Sequence, residues 1–248
     1  MKSFLVLICF FCAVSVSLSD TLYVAPISEA FGDGQSWNTA YRTLNFALGD
    51  WKTGDEIWMA SGTYDIWGSG YRLKSGMRIY GGFVGNETLR EKRDWFRQRT
   101  VLHSEEGDYI FEAINCDSTT RLDGLTFEGT VKVALGVVNG APRIFNCHFR
   151  NCTSPGYGSA IWANNVSRLR VEYSVFENNR ASMNGGAVFI AGSTADVKGF
   201  GPFIGQCFFV NNSAAQGGAI YLEEAAGTTQ FASCVFYNNV ARDAGGAI

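Results

Sequence analysis

What this chain lacks narrows its function before any motif is read. Its 20 lysines and arginines are offset by 23 aspartates and glutamates, a formal charge of −3. A chain so nearly balanced gives no electrostatic reason to expect nucleic acid or an acidic membrane as partner. Beyond the first twenty residues no apolar run is long enough for a membrane-spanning helix, which takes about 20 residues. Cysteines are few and irregularly placed. Once the N-terminal segment is set aside, Cys116, Cys147, Cys152, Cys207 and Cys234 remain, in no zinc or redox spacing. Five is odd, so even an oxidising compartment leaves at least one thiol unpaired within the chain. Nothing resembles a nucleophile with its base, and neither cofactor nor metal is implied.

The N-terminus is a separate device. Lys2 gives a positive start, Phe4 to Val14 is apolar, and Ser17-Leu-Ser19 offers small residues for cleavage. Residues 1–19 therefore read as a secretory signal peptide, cut near Ser19 or Asp20. No lipoprotein box precedes Cys9 or Cys12, so no lipid anchor is expected there.

Glycine, by contrast, is plentiful. The 29 glycines in 248 residues are about 12%, against a usual ~7%, and tight backbone turns should be frequent. The 46% hydrophobic content is enough for a real core and argues against disorder.

Residues 20–108 read as an N-terminal cap with the first coils of a larger structure. Leu22-Tyr-Val24 and Asp55 to Ala60 are predicted strands, with turns at Gly32-Asp-Gly34 and Ser61-Gly-Thr63. Ser36 can cap a helix in which Trp37, Ala40, Tyr41, Leu44 and Leu48 share one face, ended by Gly49. Arg90 to Arg99 mixes basic and acidic residues and reads as a solvated loop.

From about residue 109 to 248 the text is periodic. Cys147-His-Phe149-Arg-Asn151 recurs as Ser174-Val-Phe176-Glu-Asn178, Cys207-Phe-Phe209-Val-Asn211 and Cys234-Val-Phe236-Tyr-Asn238. Each is followed by a glycine phrase: Gly158-Ser-Ala-Ile161, Gly185-Gly-Ala-Val188, Gly217-Gly-Ala-Ile220 and Gly245-Gly-Ala-Ile248. The phenylalanines lie 27, 33 and 27 apart, and the glycines follow them by 9, 9, 8 and 9, so the extra length falls between Ile190 and Cys207. Repeats of this length indicate a stacked architecture. The runs are too short and too alternating for helical repeats, and a propeller blade needs four strands in about 40 residues. One coil of a parallel β-helix per repeat fits.

Alternation places Cys207, Phe209 and Asn211 on one side and Phe208 and Val210 on the other. The repeats preserve the first set, which is expected to point inward. Phe149, Phe176, Phe209 and Phe236 then form one ladder, and Asn151, Asn178, Asn211 and Asn238 another.

These phrases, F-x-N-N followed by G-G-A-[IVL], resemble the repeat of chlamydial polymorphic outer-membrane proteins and related surface β-helices. Asp33-Gly-Gln-Ser-Trp37, Gly54-Asp-Glu-Ile-Trp58, Ala60-Ser-Gly-Thr-Tyr64 and Gly81-Gly-Phe-Val-Gly-Asn-Glu87 are similar to the N-terminal portion of secreted right-handed β-helix proteins with pectin-lyase-like folds. The resemblance implies an all-β, right-handed single-stranded parallel β-helix, secreted or on a cell surface and often adhesive. It implies no defined reaction. The membrane-embedded barrel that ends the polymorphic proteins has no counterpart in this sequence.

Some enzymes of that fold act on acidic polysaccharides, which requires clustered carboxylates beside a base. The outward positions, His148, Val175, Phe208 and Val235 in one row, Arg150, Glu177, Val210 and Tyr237 in the next, carry one carboxylate in eight. His148 reads as a surface histidine. His103 near Glu105, Glu106 and Asp108 matches no metal spacing and reads as a solvated turn. Asp123 beside Arg121 reads as a surface pair, and no aspartate follows the glycine pairs in the calcium-binding nonapeptide register. Two functions stay open: a non-catalytic adhesin or extracellular scaffold that binds a glycan or surface protein, and a polysaccharide lyase or glycoside hydrolase.

Four further expectations follow. The chain stops inside a glycine phrase and reads as a fragment; a native stop codon directly after Ile248 would contradict this. Cys207 and Cys234 share an inward position and are expected as buried free thiols, with no disulfide. Glycosylation sequons occur at Asn86, Asn151, Asn165 and Asn211; with Asn151 and Asn211 turned inward, only Asn86 and Asn165 are expected to be usable. Finally, if Ile161, Val188 and Ile220 face the core, then Ala160, Ala187 and Ala219 face outward with Trp162, Phe189 and Tyr221. Those three rings form a candidate contact row for a glycan or protein.

Overall fold

The computed structural model describes residues 20–26, 32–193, 201–223 and 229–248; the segment read as a signal peptide lies outside them. Every strand pairing is parallel, in four sheets. Sheet A has eight strands, from Thr21–Val24 to Gln230–Ala232, and sheet B seven, from Gly62–Asp65 to Val235–Tyr237. Sheet C has six, with Tyr71–Arg72 and Ile220–Glu223 at its edges, and sheet D four, from Thr153–Ser154 to Val240–Ala244. This is a parallel β-helix. Strands from 20–108 and from 109–248 share sheets A, B and C.

One coil shows how the sequence does this. Arg143–Phe145 runs in sheet A, His148–Arg150 in sheet B, Thr153–Ser154 in sheet D and Ile161–Asn164 in sheet C, before Arg170–Glu172 re-enters sheet A one rung on. Between the strands stand single left-handed residues: Asn146 (φ 52), Asn151 (φ 54), Gly158 (φ 47) and Asn165 (φ 52). Only glycine, and asparagine among side-chain-bearing residues, visits that region routinely, which is why these two residues punctuate the repeat. Ile144, Cys147, Phe149, Cys152, Ala160, Ile161, Ala163 and Leu169 are wholly buried or nearly so, and the four sheets enclose them.

The phenylalanine ladder is a stack of parallel rings. Centroids are 5.0 Å apart from Phe149 to Phe176, 4.7 Å to Phe209 and 4.9 Å to Phe236. Phe127 extends the stack below, 4.5 Å from Phe149. The repeat phrase missed it because its coil has Gly129 at the left-handed corner (φ 75) where later coils have asparagine.

The asparagine ladder does not lie where alternation put it. Asn151, Asn178, Asn211 and Asn238 are exposed. Each is itself a left-handed corner residue, φ between 52 and 56, and such a corner resets the two-residue alternation. The inward member is the next residue. Asn179 and Asn212 are fully buried; Asn179 donates to the Phe149 carbonyl and to Asn212 Oδ1, both at 3.0 Å, and Asn212 repeats this with the Phe176 carbonyl and Asn239. Cys152 holds the equivalent place one coil earlier, where its N–H donates to Asn179 Oδ1. Outside, Asn238 donates to Asn211 at 2.7 Å, so the first asparagines also form a ladder, on the surface. Asn151 and Asn211 are therefore as exposed as Asn86 and Asn165, and the expected restriction of glycosylation to the latter two loses its basis. Asn211→Val should destabilise the protein by about 1–2 kcal/mol, because a β-branched residue is strained at this corner, whereas Asn211→Gly should stay within about 0.5 kcal/mol of the parent. Urea unfolding of the two variants compares them directly; equal stability would mean the corner is not left-handed in solution.

The predicted N-terminal helix is broken in two. Ser36 caps only a 3-10 turn, Trp37–Thr39, accepting from the Thr39 N–H. Tyr41 is drawn into the sheet instead: its N–H donates to the Tyr23 carbonyl, and its own carbonyl accepts from Ala25. A short helix, α1, follows at Leu44–Asp50, and Gly49 lies inside it rather than at its end. Leu44 and Ala47 of α1 join the core beside Leu22 and Val24. The Ser61-Gly-Thr63 turn is likewise shorter than expected, since Gly62 already begins a sheet B strand.

The charged stretch 90–99 is not a free solvated loop. Arg93 lies against the outer face of sheet A, only 11% of its side chain exposed, and donates to Asp123 Oδ1 at 2.6 Å. Asp123, 1% exposed, also accepts from Arg121 at 2.6 Å and Asn146 at 2.9 Å. Burial alone would raise this carboxyl; the Arg93 guanidinium and these hydrogen bonds outweigh it and hold it below the ordinary aspartate value. The approach needs glycine: a Cβ on Gly82 would lie 2.5 Å from Trp95 Cα, and one on Gly124 2.5 Å from Arg93 Nη1. Asp123 is thus a buried strut, not a surface pair.

Candidate binding faces

Neighbouring coils repeat in register, so outward side chains line up in rows. On sheet B, Thr126, His148, Val175, Phe208 and Val235 form one row. Asp65, His103, Glu128, Arg150, Glu177, Val210 and Tyr237 form the next. This second row carries more acid than the repeats alone showed, because Asp65 and Glu128 precede the first recognised phrase. The carboxylates are already engaged. Glu128 takes Arg150 at 2.8 Å, Asp65 meets His103 at 3.3 Å, and Glu177 takes His148 at 3.1 Å. Among the described residues no group of three or more His, Cys, Asp or Glu could hold a metal ion.

The strut formed by Arg93 carries the chain on over sheet B, and Trp95, Phe96 and Arg99 overhang the first row. A cleft of about 360 Å³ opens between them and Thr126, His148, Tyr173 and Phe208. Its rings are open to solvent: Phe96 is 67% exposed, Tyr173 52% and Phe208 49%. Tyr173 owes its position to a left-handed corner (φ 54), which turns the side chain outward.

His148 forms one wall. Arg99 Nη1 lies 2.9 Å from its Nδ1, and an arginine can only donate, so Nδ1 accepts and Nε2–H donates to Glu177. Burial and then the Arg99 charge hold the imidazole below its ordinary pKa, against the pull of Glu177. Both of its ring nitrogens are occupied. The one thiol on the cleft, Cys147, is buried and pushed up to about 12 by burial. The arrangement can hold a ligand by ring faces and a guanidinium; it offers no free base beside a nucleophile.

The candidate row on sheet C is in register as expected: Trp162 opposite Phe189, Phe189 opposite Tyr221. It is not an open stripe. Phe189 is 3% exposed, covered by Tyr157 at 4.6 Å, and stacks on Tyr221 at 5.8 Å; Trp162 and Tyr221 are half-buried. Ala160, Ala187 and Ala219, expected outside, are fully buried. They follow the left-handed glycines 158, 185 and 217, and the corner again resets the alternation. Trp162 lines a groove with Tyr109, Tyr157 and Lys132.

The five thiols are free; Cys116, Cys147, Cys152 and Cys207 are buried and Cys234 half-buried. Cys234 beside it and burial together push the Cys207 thiol up, so Cys234 ionises first.

Each repeat thus runs from a left-handed corner, through a sheet B strand and a glycine corner, to a sheet C strand. Two family-model matches start and stop on that unit. Residues 173–191 and 206–223 match the Chlamydia polymorphic membrane protein repeat. Both matched segments begin at the corner before sheet B, Tyr173 or Gln206, and end in the sheet C strand, at Ala191 or Glu223. The unit that resembled this repeat in sequence is therefore one coil without its sheet A strand. Comparison with curated proteins and with solved structures finds no match.

Proposed function

We propose that this chain is an adhesive module of a cell surface: an exported, non-catalytic β-helix that holds a protein or glycan partner in the aromatic cleft on sheet B. The observation that carries the reading is the cleft itself, whose exposed rings are held in water by a rigid sheet on one side and a buried strut on the other. Exposed apolar surface of this kind marks contact sites, and rings contribute most of the energy at such sites. The polymorphic membrane protein repeat supports a surface location, and the apolar N-terminal segment supports export. No helix among the described residues is long and apolar enough to cross a membrane.

The test is the double variant Phe96→Ser, Phe208→Ser, assayed for adhesion of the purified protein to cells. Both side chains are exposed, so unfolding should be nearly unchanged, while adhesion should fall about tenfold or more as two contact rings are lost. A folded double variant with parental adhesion would remove the cleft. The pair Trp162→Ser, Tyr221→Ser serves as the comparison on sheet C: loss of adhesion there, without loss of stability, would move the contact to that face.

A second reading, a polysaccharide lyase or hydrolase, draws on Glu128 and Glu177 flanking Arg150 in one outward row. Cleavage of an acidic polysaccharide that disappears in Glu177→Gln would favour it over adhesion.

A further inference from the structure

Sheet A turns a different chemistry outward. Arg78 stands opposite Arg121, Arg121 opposite Arg143, and Arg143 opposite Arg170. Rungs lie about 4.8 Å apart, and like charges directly opposite destabilise a sheet. Three of the four arginines have a local answer. Arg78 pairs with Glu56 at 3.3 Å. Arg121 pairs with Asp123 and lies 4.2 Å from the centre of the Phe145 ring. Arg170 pairs with Glu172 at 3.3 Å and lies over Phe203. Arg143 is exposed, and among the described residues no carboxylate pairs with it. Among the described residues Arg143 is thus a guanidinium between two others with no carboxylate of its own.

Arg143 and Arg170, with Arg168, line a cleft of about 290 Å³ completed by Ser118, Phe203 and Gln230. Guanidinium forks match sulfate and carboxylate oxygens in pairs. The serine hydroxyl and the glutamine amide can meet neutral hydroxyls beside such an anion. The bordering charge decides between polyanions. The next outward row holds Asp123, buried under Arg93, then Phe145 and Glu172, so the basic strip is narrow, with the Glu172 carboxylate at its edge. Duplex DNA, with a charge about every 1.7 Å along its axis, would set phosphates against that carboxylate. A sugar chain with sparser anions would not.

We propose that this cleft binds an acidic glycan, its sulfate or carboxylate groups held by Arg143 with Arg170 and Arg168. The site lies on a different sheet from the aromatic cleft and stands or falls without it.

The experiment is binding to immobilised heparin, with neutral dextran and duplex DNA as companion probes. The parent should bind heparin and not dextran. Arg143→Ala should weaken heparin binding about tenfold, the loss expected for one charge-assisted fork, and Arg143→Lys should recover part of it. Arg97→Ala, at an exposed arginine beside Asp94 elsewhere on the surface, should change nothing. Unchanged heparin binding in Arg143→Ala would overturn the proposal. So would an equal loss in Arg97→Ala, or duplex DNA bound as tightly as heparin, since each would show generic charge attraction. Should the alanine variant lose stability, Arg143→Gln, which keeps the stem, gives the same comparison.

Discussion

Phe209→Ala should cost the fold about 3–5 kcal/mol, whereas Phe208→Ala, one residue earlier, should barely register. Phe209 is fully buried, between Phe176 at 4.7 Å and Phe236 at 4.9 Å. Deleting a buried phenylalanine costs about 3–5 kcal/mol, the upper end applying where the walls cannot collapse into the space. Here Phe176 is fixed to its rung by backbone pairing above and below, and Phe236 is fixed to its rung by pairing with the Phe209 strand. Neither can move into the gap without breaking its strand register. The loss is a large part of the roughly 5–15 kcal/mol that holds a typical domain together. Phe208 points away from the core and is half-exposed, so its truncation should change stability by no more than about 0.5 kcal/mol. Urea denaturation followed by circular dichroism separates the two. Similar midpoints for both variants would mean that the inward register of this strand is wrong.

The second large effect is expected at Asp123. Asp123→Ala leaves Arg93 against sheet A with its carboxylate gone, and removing one partner of a buried pair costs about 3–5 kcal/mol. Part of the damage should be local: the 84–99 segment would lose its attachment, and trypsin should then cut at Arg93 and Arg97 faster than in the parent. The pair also sets an acid limit. Because the folded carboxyl titrates below its unfolded value of about 3.9, its contribution is complete above that pH and is lost as pH falls through the lower folded value. Asp123→Asn keeps the shape and removes the titration. Its stability should therefore be lower at neutral pH and flatter toward acid, and unfolding profiles that run parallel for parent and variant below about pH 4 would sink the assignment.

Where the sequence could be read, one physical rule was at work over several coils. Phenylalanine at a fixed phase in an alternating run announces a buried ladder, and the four predicted rings stack as read. The errors share a cause too. Alternation was carried through Asn151, Asn178, Asn211 and Asn238, and through the glycine phrases, but a left-handed corner shifts the phase by one. That shift put Asn179 and Asn212 inside in place of their neighbours, and buried alanines expected outside. The N-terminal helix failed for another reason. Trp37, Ala40, Tyr41 and Leu44 fit a helical face, yet the backbone of Tyr41 gains sheet hydrogen bonds from Tyr23 and Ala25, which local periodicity cannot show. The binding faces were least legible. Asp123 looked like a surface residue because its partner Arg93 is 30 residues away, and the same segment brings Trp95 and Phe96 over a sheet with which they share no period. The arginine ladder of sheet A is hidden in the sequence because its members are 43, 22 and 27 residues apart and net charge averages them against acids such as Asp123 and Glu172.

The direction of the hydrogen bonds has a mechanical consequence. In every sheet they run from coil to coil, along the axis of the helix, and hardly at all across it. A pull along that axis loads the sheets of one inter-coil junction side by side, so the bonds of a junction share the force. Successive junctions, however, are links of one chain and all feel the full tension. Such a column gives way at its weakest link and lengthens by whole coils, one release at a time. A pull across the axis instead meets the covalent backbone of each coil and the stacked rings inside it. The molecule is therefore stiff in girth and yielding in length, which suits a tether that must absorb a tug without letting go.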